Sequence, residues 1–274
     1  MSSNIRIGDL TVNRLGFGAM RVCGPQAWGP PKDRAGAHRV LRRAIELGVN
    51  FFDTADSYGP HIDEELIAEA LHPYPGGLVI GTKGGLLRPR PSAWEPDGRP
   101  AHLKSAIDGS LKRLKLERID LYQLHAPDPK VPFADSVGAL ADGQRAGKIR
   151  HIGLSNVSVM QLEEARDIVT VVSVQNKYNI GDRSSEEVLK ACERLEIAFL
   201  PWYPLGAGAV LRSKKILGVS GKITATPSQV SLAWLLAKSP VMLPIPGTAS
   251  IAHLEENIAA ATLKLSAEDL AALD

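Results

Sequence analysis

The chain has 274 residues, of which 44 % are apolar and 23 % charged, ordinary proportions for a globular protein with a substantial core. Its formal charge of +2 is nearly balanced, and Lys and Arg are dispersed apart from Arg212, Lys214 and Lys215, so no nucleic-acid footprint is present. Two distant cysteines, Cys23 and Cys192, argue against a disulfide framework or a CxxC zinc site. With no apolar run near the ~20 residues of a membrane span, and no leader pattern at Met1-Ser2-Ser3-Asn4, a cytoplasmic protein is expected.

Residues 5–12 read as a hairpin, alternating apolar positions about a Gly8-Asp9 turn. Strand and helix signals then alternate to the end. A strand at 15–20 leads through a Gly/Pro-rich loop, 24–31, to a helix over 33–47, with Asp33 as N-cap and Gly48 just past its end. The second strand, 49–52, precedes a helix over 62–71. The third, 78–82, precedes a long loop, 84–100, and a helix ending near 114. The fourth, 119–124, and the fifth, 149–154, precede helices over 133–146 and 159–168. The sixth, 171–174, precedes a helix over 185–195. The seventh, 197–201, is followed by another long loop and a helix over 229–237. The eighth, 241–245, comes before helices over 251–261 and 267–273.

Eight strand–helix units with apolar rather than alternating strands predict parallel strands buried on both faces. The expected fold is a (β/α)₈ TIM barrel with an N-terminal β-hairpin, one domain over residues 1–274. An open doubly wound sheet carries a Gly-rich phosphate turn after its first strand. Here Gly16-Phe17-Gly18 is followed by Ala-Met-Arg, with no third Gly.

In such a barrel the C-terminal strand ends form one rim, where active sites are found. Polar residues stand at those ends: Asp53 and Tyr58 after the second strand, Lys83 after the third, His125 after the fourth. Ser155-Asn156, Gln175-Asn176, Trp202-Tyr203 and Gly247-Thr248 follow the fifth to the eighth. A free tyrosine, with a pKa of about 10, is a poor acid near neutrality, and a neighbouring ammonium lowers that value. Lys83 is the candidate ammonium, held by Asp53, and His125 adds a hydrogen bond to a substrate oxygen. Such a set protonates an oxyanion as charge develops on it, as in carbonyl reduction.

Singly, each residue has an ordinary alternative. Asp56 reads as a helix N-cap, Tyr58 as a packed rim residue, Lys83 as a solvated charge and His125 as a core histidine. Four such residues on three successive strand ends favour function. Metal-dependent hydrolysis lacks its His-x-His or His-Glu-x-x-His. A serine nucleophile elbow fails at Val157, where Gly is required. Gly81-Thr82-Lys83-Gly84 lacks P-loop spacing. A Schiff-base lysine at Lys83 stays open as a rival.

In order along the chain stand Leu15-Gly16-Phe17-Gly18, Phe52-Asp53-Thr54-Ala55-Asp56-Ser57-Tyr58-Gly59, Gly81-Thr82-Lys83, Leu124-His125, Ile152-Gly153-Leu154-Ser155-Asn156, Val174-Gln175, Pro204-Leu205-Gly206 and Ile245-Pro246-Gly247-Thr248 through Glu255-Glu256-Asn257. With these motifs the chain resembles the aldo-keto reductases over essentially its whole length. The resemblance implies a catalytic tetrad of Asp53, Tyr58, Lys83 and His125, with Tyr58 as general acid. It implies Ser155, Asn156 and Gln175 on the nicotinamide carboxamide, and Trp202 stacked on the nicotinamide ring. Leu205, Gly206 and Gly208 would approach the pyrophosphate through backbone amides.

The last loop carries no Lys or Arg for a 2′-phosphate, so Gly247, Thr248, Ser250 and His253 are left to hold one, with Glu256 and Asn257 at the adenine. NADPH is the cofactor implied, with NADH as the alternative, and no metal or flavin is required. Gly29-Pro30-Pro31, Tyr58-Gly59-Pro60-His61 and the last loop look most like a bacterial branch that includes pyridoxal reductases. Ending at Asp274, the chain lacks the long tail of many relatives. An open pocket is therefore expected, walled by loop 23–32 with Trp28 and loop 84–100 with Trp94. The implied activity is reduction of a small aldehyde or ketone by direct hydride transfer. The alternatives are alcohol oxidation at the same site and a non-catalytic nicotinamide-binding regulatory subunit. Oligomeric state is left open.

Overall fold

The computed structural model describes residues 3–274; Met1 and Ser2, the start of the stretch inspected for a leader, lie outside them. Asn4–Ile7 (β1) and Leu10–Asn13 (β2) pair antiparallel about Gly8, whose φ of +62° suits a residue without a Cβ. Their buried side chains Ile5, Ile7 and Val12 join one cluster with Phe51, Val79, Leu121 and Leu200, so the hairpin plugs the barrel interior.

The alternating units follow. Phe17–Gly18 (β3) leads to Arg34–Glu46 (α1), and Phe51–Asp53 (β4) to Ile62–Leu71 (α2). Val79–Gly84 (β5) leads through a small hairpin, Leu86–Leu87 (β6) with Glu95–Pro96 (β7), to Pro100–Leu114 (α3). Ile119–Leu124 (β8) precedes Phe133–Arg145 (α4), and Ile149–Ser155 (β9) precedes Val159–Arg166 (α5). Val171–Lys177 (β10) precedes Glu186–Leu195 (α6). Ala198–Trp202 (β11) precedes Lys214–Ile223 (α7) and Pro227–Lys238 (α8). Ile251–Ala259 (α9) and Ala267–Leu273 (α10) close the chain.

Local chemistry accounts for the boundaries. Asp33 caps α1 by accepting from Gly36 N at 2.7 Å, and Gly48 follows the helix at φ +85°. Ala37, Val40, Leu41 and Ala44 form the buried stripe of α1, the spacing of one helical face. Each buried Val or Leu there contributes about 1.5–3 kcal/mol. The helix α7 lies where a loop is expected from the sequence. Its Gly218 and Gly221 are weak helix formers, and only Ile216 and Val219 are buried, so its apolar stripe is faint.

Seven parallel strands run in the order β11-β10-β9-β8-β5-β4-β3. The eighth position is filled by residues 241–246, which form no regular strand, contrary to expectation. On one side Phe199 N donates to Val241 O and Leu243 N to Phe199 O, both at 2.8 Å. On the other side Gly16 N donates to Pro244 O at 2.9 Å and Gly18 N to Pro246 O at 3.4 Å. Pro244 and Pro246 have no N–H to return, so that side of the ladder consists of accepted bonds alone. The ring closes nonetheless, and the fold is a (β/α)₈ barrel. No helix among the described residues is long and apolar enough to cross a membrane.

Candidate active site

Strand β4 ends in Asp53, which is 2 % exposed. Its Oδ1 accepts from Lys83 Nζ at 2.6 Å, and its Oδ2 accepts from the side-chain amides of Gln175 at 2.8 Å and Gln123 at 3.1 Å. Lys83, fully buried in β5, also donates to Thr54 O at 2.8 Å and to Tyr58 Oη at 3.4 Å. An ion pair this deep in the protein is tolerated because both charges are hydrogen-bonded on several sides.

Tyr58 is 8 % exposed. The sequence reading puts an ammonium beside this phenol to lower its pKa. The ammonium is there, but burial, then the Asp53 charge, push the Tyr58 pKa well above its ordinary value. The phenol therefore holds its proton until a more basic oxygen forms against it to accept that proton. His125 follows β8, and its backbone N–H donates to Gly84 O at 2.9 Å. Its ring meets Tyr58 edge-on at 5.7 Å between centroids. Burial, then the charges of Lys83 and Arg88, drive its pKa well below the usual imidazole range, so the ring is neutral. Asp56 does not cap α2, whose N-cap position is His61. It is buried, and its carboxyl is pushed up by burial and then by Glu64.

Tyr58 and His125 face a cavity of about 370 Å³, whose walls include Asp53, Trp94, Ser155, Asn156, Gln175, Trp202, Leu205 and Gly247. Trp94 stands edge-on to Tyr58 at 6.3 Å and to His125 at 6.4 Å. Trp28 does not reach the cavity; its backbone bridges Gly59, and Arg88 lies 5.6 Å from its ring. Gly206 and Gly208 also stay outside. Their amides already donate within a tight turn to Tyr203 O and Leu205 O, each at 2.8 Å. The expected approach of those amides to a pyrophosphate is thus not prepared in this structure, whereas Leu205 and Ala207 do line the cavity.

Thr248, Ser250, His253, Glu256 and Asn257 lie beyond the cavity, on the loop and helix after Gly247. Ser250 caps α9 by accepting from His253 N at 3.4 Å. Glu256 accepts from Thr226 Oγ1 at 2.6 Å, tying α9 to the start of α8. Three neighbours of the reaction centre were not singled out from sequence. Gln123 signals itself as a polar residue within an apolar strand. Ser57 and Arg88 carry no comparable signal.

A family model for the aldo/keto reductase family matches residues 14–218 and 218–274. The chain belongs to the aldo/keto reductase family. It is 49 % identical to an uncharacterized oxidoreductase of Schizosaccharomyces pombe, over all of this chain and 89 % of that protein. It is 46 % identical to pyridoxine 4-dehydrogenase of Escherichia coli strain K12, over all of this chain and 98 % of that protein. Among solved structures it resembles an aldo/keto reductase from Klebsiella pneumoniae in complex with NADP and acetate, with a TM-score of 0.85 and 26 % identity, covering 100 % of this chain and 95 % of that one.

As an aldo/keto reductase the chain is an NAD(P)H-dependent oxidoreductase, and its free polar atoms fit the cofactor's carboxamide. Asn156, at φ +60°, is fully engaged: its amide donates to His125 O at 3.0 Å and Ser155 Oγ at 3.1 Å, and its Oδ1 accepts from the Trp202 indole at 2.9 Å. It braces the neighbouring residues and fixes the Trp202 indole. Ser155 Oγ accepts one bond and keeps its own proton to donate. Gln175 donates to Asp53 and keeps Oε1 to accept. One donor and one acceptor are what a carboxamide's C=O and NH₂ require.

Proposed function

We propose that this reductase converts a small aldehyde or ketone to the alcohol with NADPH, Tyr58 giving the proton to the carbonyl oxygen. The observation that carries the reading is the buried chain Asp53–Lys83–Tyr58 beside a neutral His125 on one cavity wall. Bound in this cavity, NADPH would supply the hydride that the carbonyl carbon takes up. As charge builds on the oxygen, the Tyr58 phenol releases its proton to it. Lys83 stabilises the phenolate left behind, and Asp53 keeps Lys83 charged and aimed. His125 donates a hydrogen bond to the same oxygen and orients it. Ser155 and Gln175 hold the carboxamide, and Trp202 offers its face to the nicotinamide ring.

We further propose the pyridoxal–pyridoxine pair as substrate and product. The 46 % identity to pyridoxine 4-dehydrogenase supports it, as does the edge-on set of Tyr58, His125 and Trp94, which suits a flat aromatic ring. That relative's name describes the alcohol-oxidising direction, which runs through the same atoms in reverse, with Tyr58 phenolate as base. The chain is taken to act as a single cytoplasmic barrel domain.

The test mixes the protein with NADPH or NADH and a carbonyl panel that includes pyridoxal, and follows loss of reduced-cofactor absorbance. Turnover is expected with NADPH. Tyr58→Phe should lose about 10²–10⁴-fold in kcat, the usual worth of a general acid, while cofactor affinity stays within about twofold. Tight cofactor binding without turnover of any carbonyl would instead support a regulatory subunit. Borohydride trapping of a covalent adduct on Lys83 would support Schiff-base chemistry.

A further inference from the structure

A second cleft, of about 490 Å³, shares no wall residue with the reaction cavity; Asp56, Ser57, Arg88, His102 and Arg113 are among its walls. A hydrogen bond joins a wall residue of one to a wall residue of the other. Ser57 Oγ, on the second cleft, lies 3.2 Å from Nδ1 of His125, on the reaction cavity, and the two residues are 3 % and 7 % exposed.

The direction of that bond follows from the partners available. Among the described residues, Ser57 Oγ makes no other hydrogen bond, so Nδ1 is the one protein acceptor for its proton. A buried hydroxyl without an acceptor costs about 1–3 kcal/mol. The O–H therefore donates to Nδ1, and a neutral imidazole then carries its proton on Nε2. Burial, and after it the charges of Lys83 from β5 and Arg88 from the loop that follows, keep the ring neutral, with Tyr58 and Trp94 edge-on. Among the described residues Nε2 has no hydrogen-bond partner, so its N–H is left for a ligand.

We propose that Ser57 is a positioning residue for carbonyl reduction: its hydroxyl fixes His125 as the tautomer whose Nε2–H serves the reaction cavity. A substrate oxygen then meets a donor. The opposite tautomer would present a lone pair to it. The inference rests on the reading of His125 as the contact to the carbonyl oxygen.

Two measurements test it. Long-range ¹H–¹⁵N spectra of the imidazole nitrogens, with His125→Asn used only to assign the His125 signals, should show the Nε2–H tautomer in the native protein near neutral pH. In Ser57→Ala the signals should move towards the Nδ1–H form. In parallel, kcat for carbonyl reduction should fall about tenfold in Ser57→Ala, less than the loss of the donor itself would cost, with NADPH affinity unchanged. Ser57→Thr, which keeps the hydroxyl, should restore both readouts. An Nδ1–H imidazole in the native protein overturns the proposal without recourse to any variant. So does any folded variant in which tautomer and turnover fail to move together. If the native protein reduces no carbonyl at all, the reading of the reaction fails, while the imidazole spectra still decide the Ser57 bond.

Discussion

Asp63 shows how strongly its surroundings act on a single residue here. It is fully buried in the first turn of α2, accepts from Thr54 Oγ1 at 2.7 Å through Oδ2, and leaves Oδ1 without a partner. Burial, and to a lesser extent neighbouring Glu64, raise its pKa from 3.8 to about 7, with the Thr54 bond opposing. Between those values the folded chain keeps a proton that the unfolded chain has lost. Rising pH therefore lowers stability across this window and has no further effect above it. Asp63→Asn should remove that slope. Relative to the native protein, the variant should gain up to roughly 4 kcal/mol between pH 4 and pH 8, read from denaturant unfolding at each pH. A difference that does not change with pH would show that Asp63 is ionised throughout. Asp53, Tyr58, Lys83 and His125 were legible in the sequence because each ends or follows an apolar strand. Asp63 and Ser57 were not, because their surroundings come from distant parts of the chain: Asp63 is neighboured by Lys83, and Ser57 meets a ring 68 residues further on.

At the level of elements, the loops beside the reaction cavity depend on Arg88. Its guanidinium donates to the carbonyls of Ala27 at 3.3 Å, Gln26 at 3.0 Å and Pro91, and lies 3.6 Å from the Trp94 ring centre. One buried cation thus joins loop 23–32 to loop 84–100 and holds the cavity's outer wall. Arg88→Ala should destabilise the fold by about 2–3 kcal/mol, since a charged donor leaves carbonyls unpaired. It should also release Trp94, raising KM for the carbonyl about tenfold with kcat within about threefold. Steady-state kinetics on the variant check this, and an unchanged KM would detach Trp94 from substrate binding. The sequence marked Trp94 and Trp28 as pocket walls from their loop positions alone. It could not separate them, because the distinction depends on where Arg88 pulls each loop. Helices fared better: α2 and α10 have the bounds read from sequence, and so does β8, since their apolar patterns are dense. Helix α7 was hidden by its glycines.

At the scale of the whole molecule, eight repeated units made the barrel legible, and the seam between the eighth position and β3 was the part they could not describe. The reason is local. A Cβ on Gly247 would lie 2.3 Å from Gly18 O, and one on Gly18 would lie 2.6 Å from Ile245 O, so the two backbones approach too closely for side chains. Gly247→Ala should part them and cost about 1–3 kcal/mol. Gly218→Ala, in open space within α7, should add about 0.5–1 kcal/mol. Thermal or denaturant unfolding of the pair checks both signs, and equal effects would show that the seam accommodates a Cβ.

The reaction cavity straddles this seam, with Gly18, Met20 and Arg21 on one bank and Ile245, Pro246 and Gly247 on the other. The barrel is thus a hoop with a weak clasp, and a molecule lodged in the cavity touches both halves of it. Such a ligand acts as a pin as well as a reagent. Each tenfold excess over its dissociation constant tightens the hoop by about 1.4 kcal/mol, so cofactor supply sets how firmly the protein stays closed.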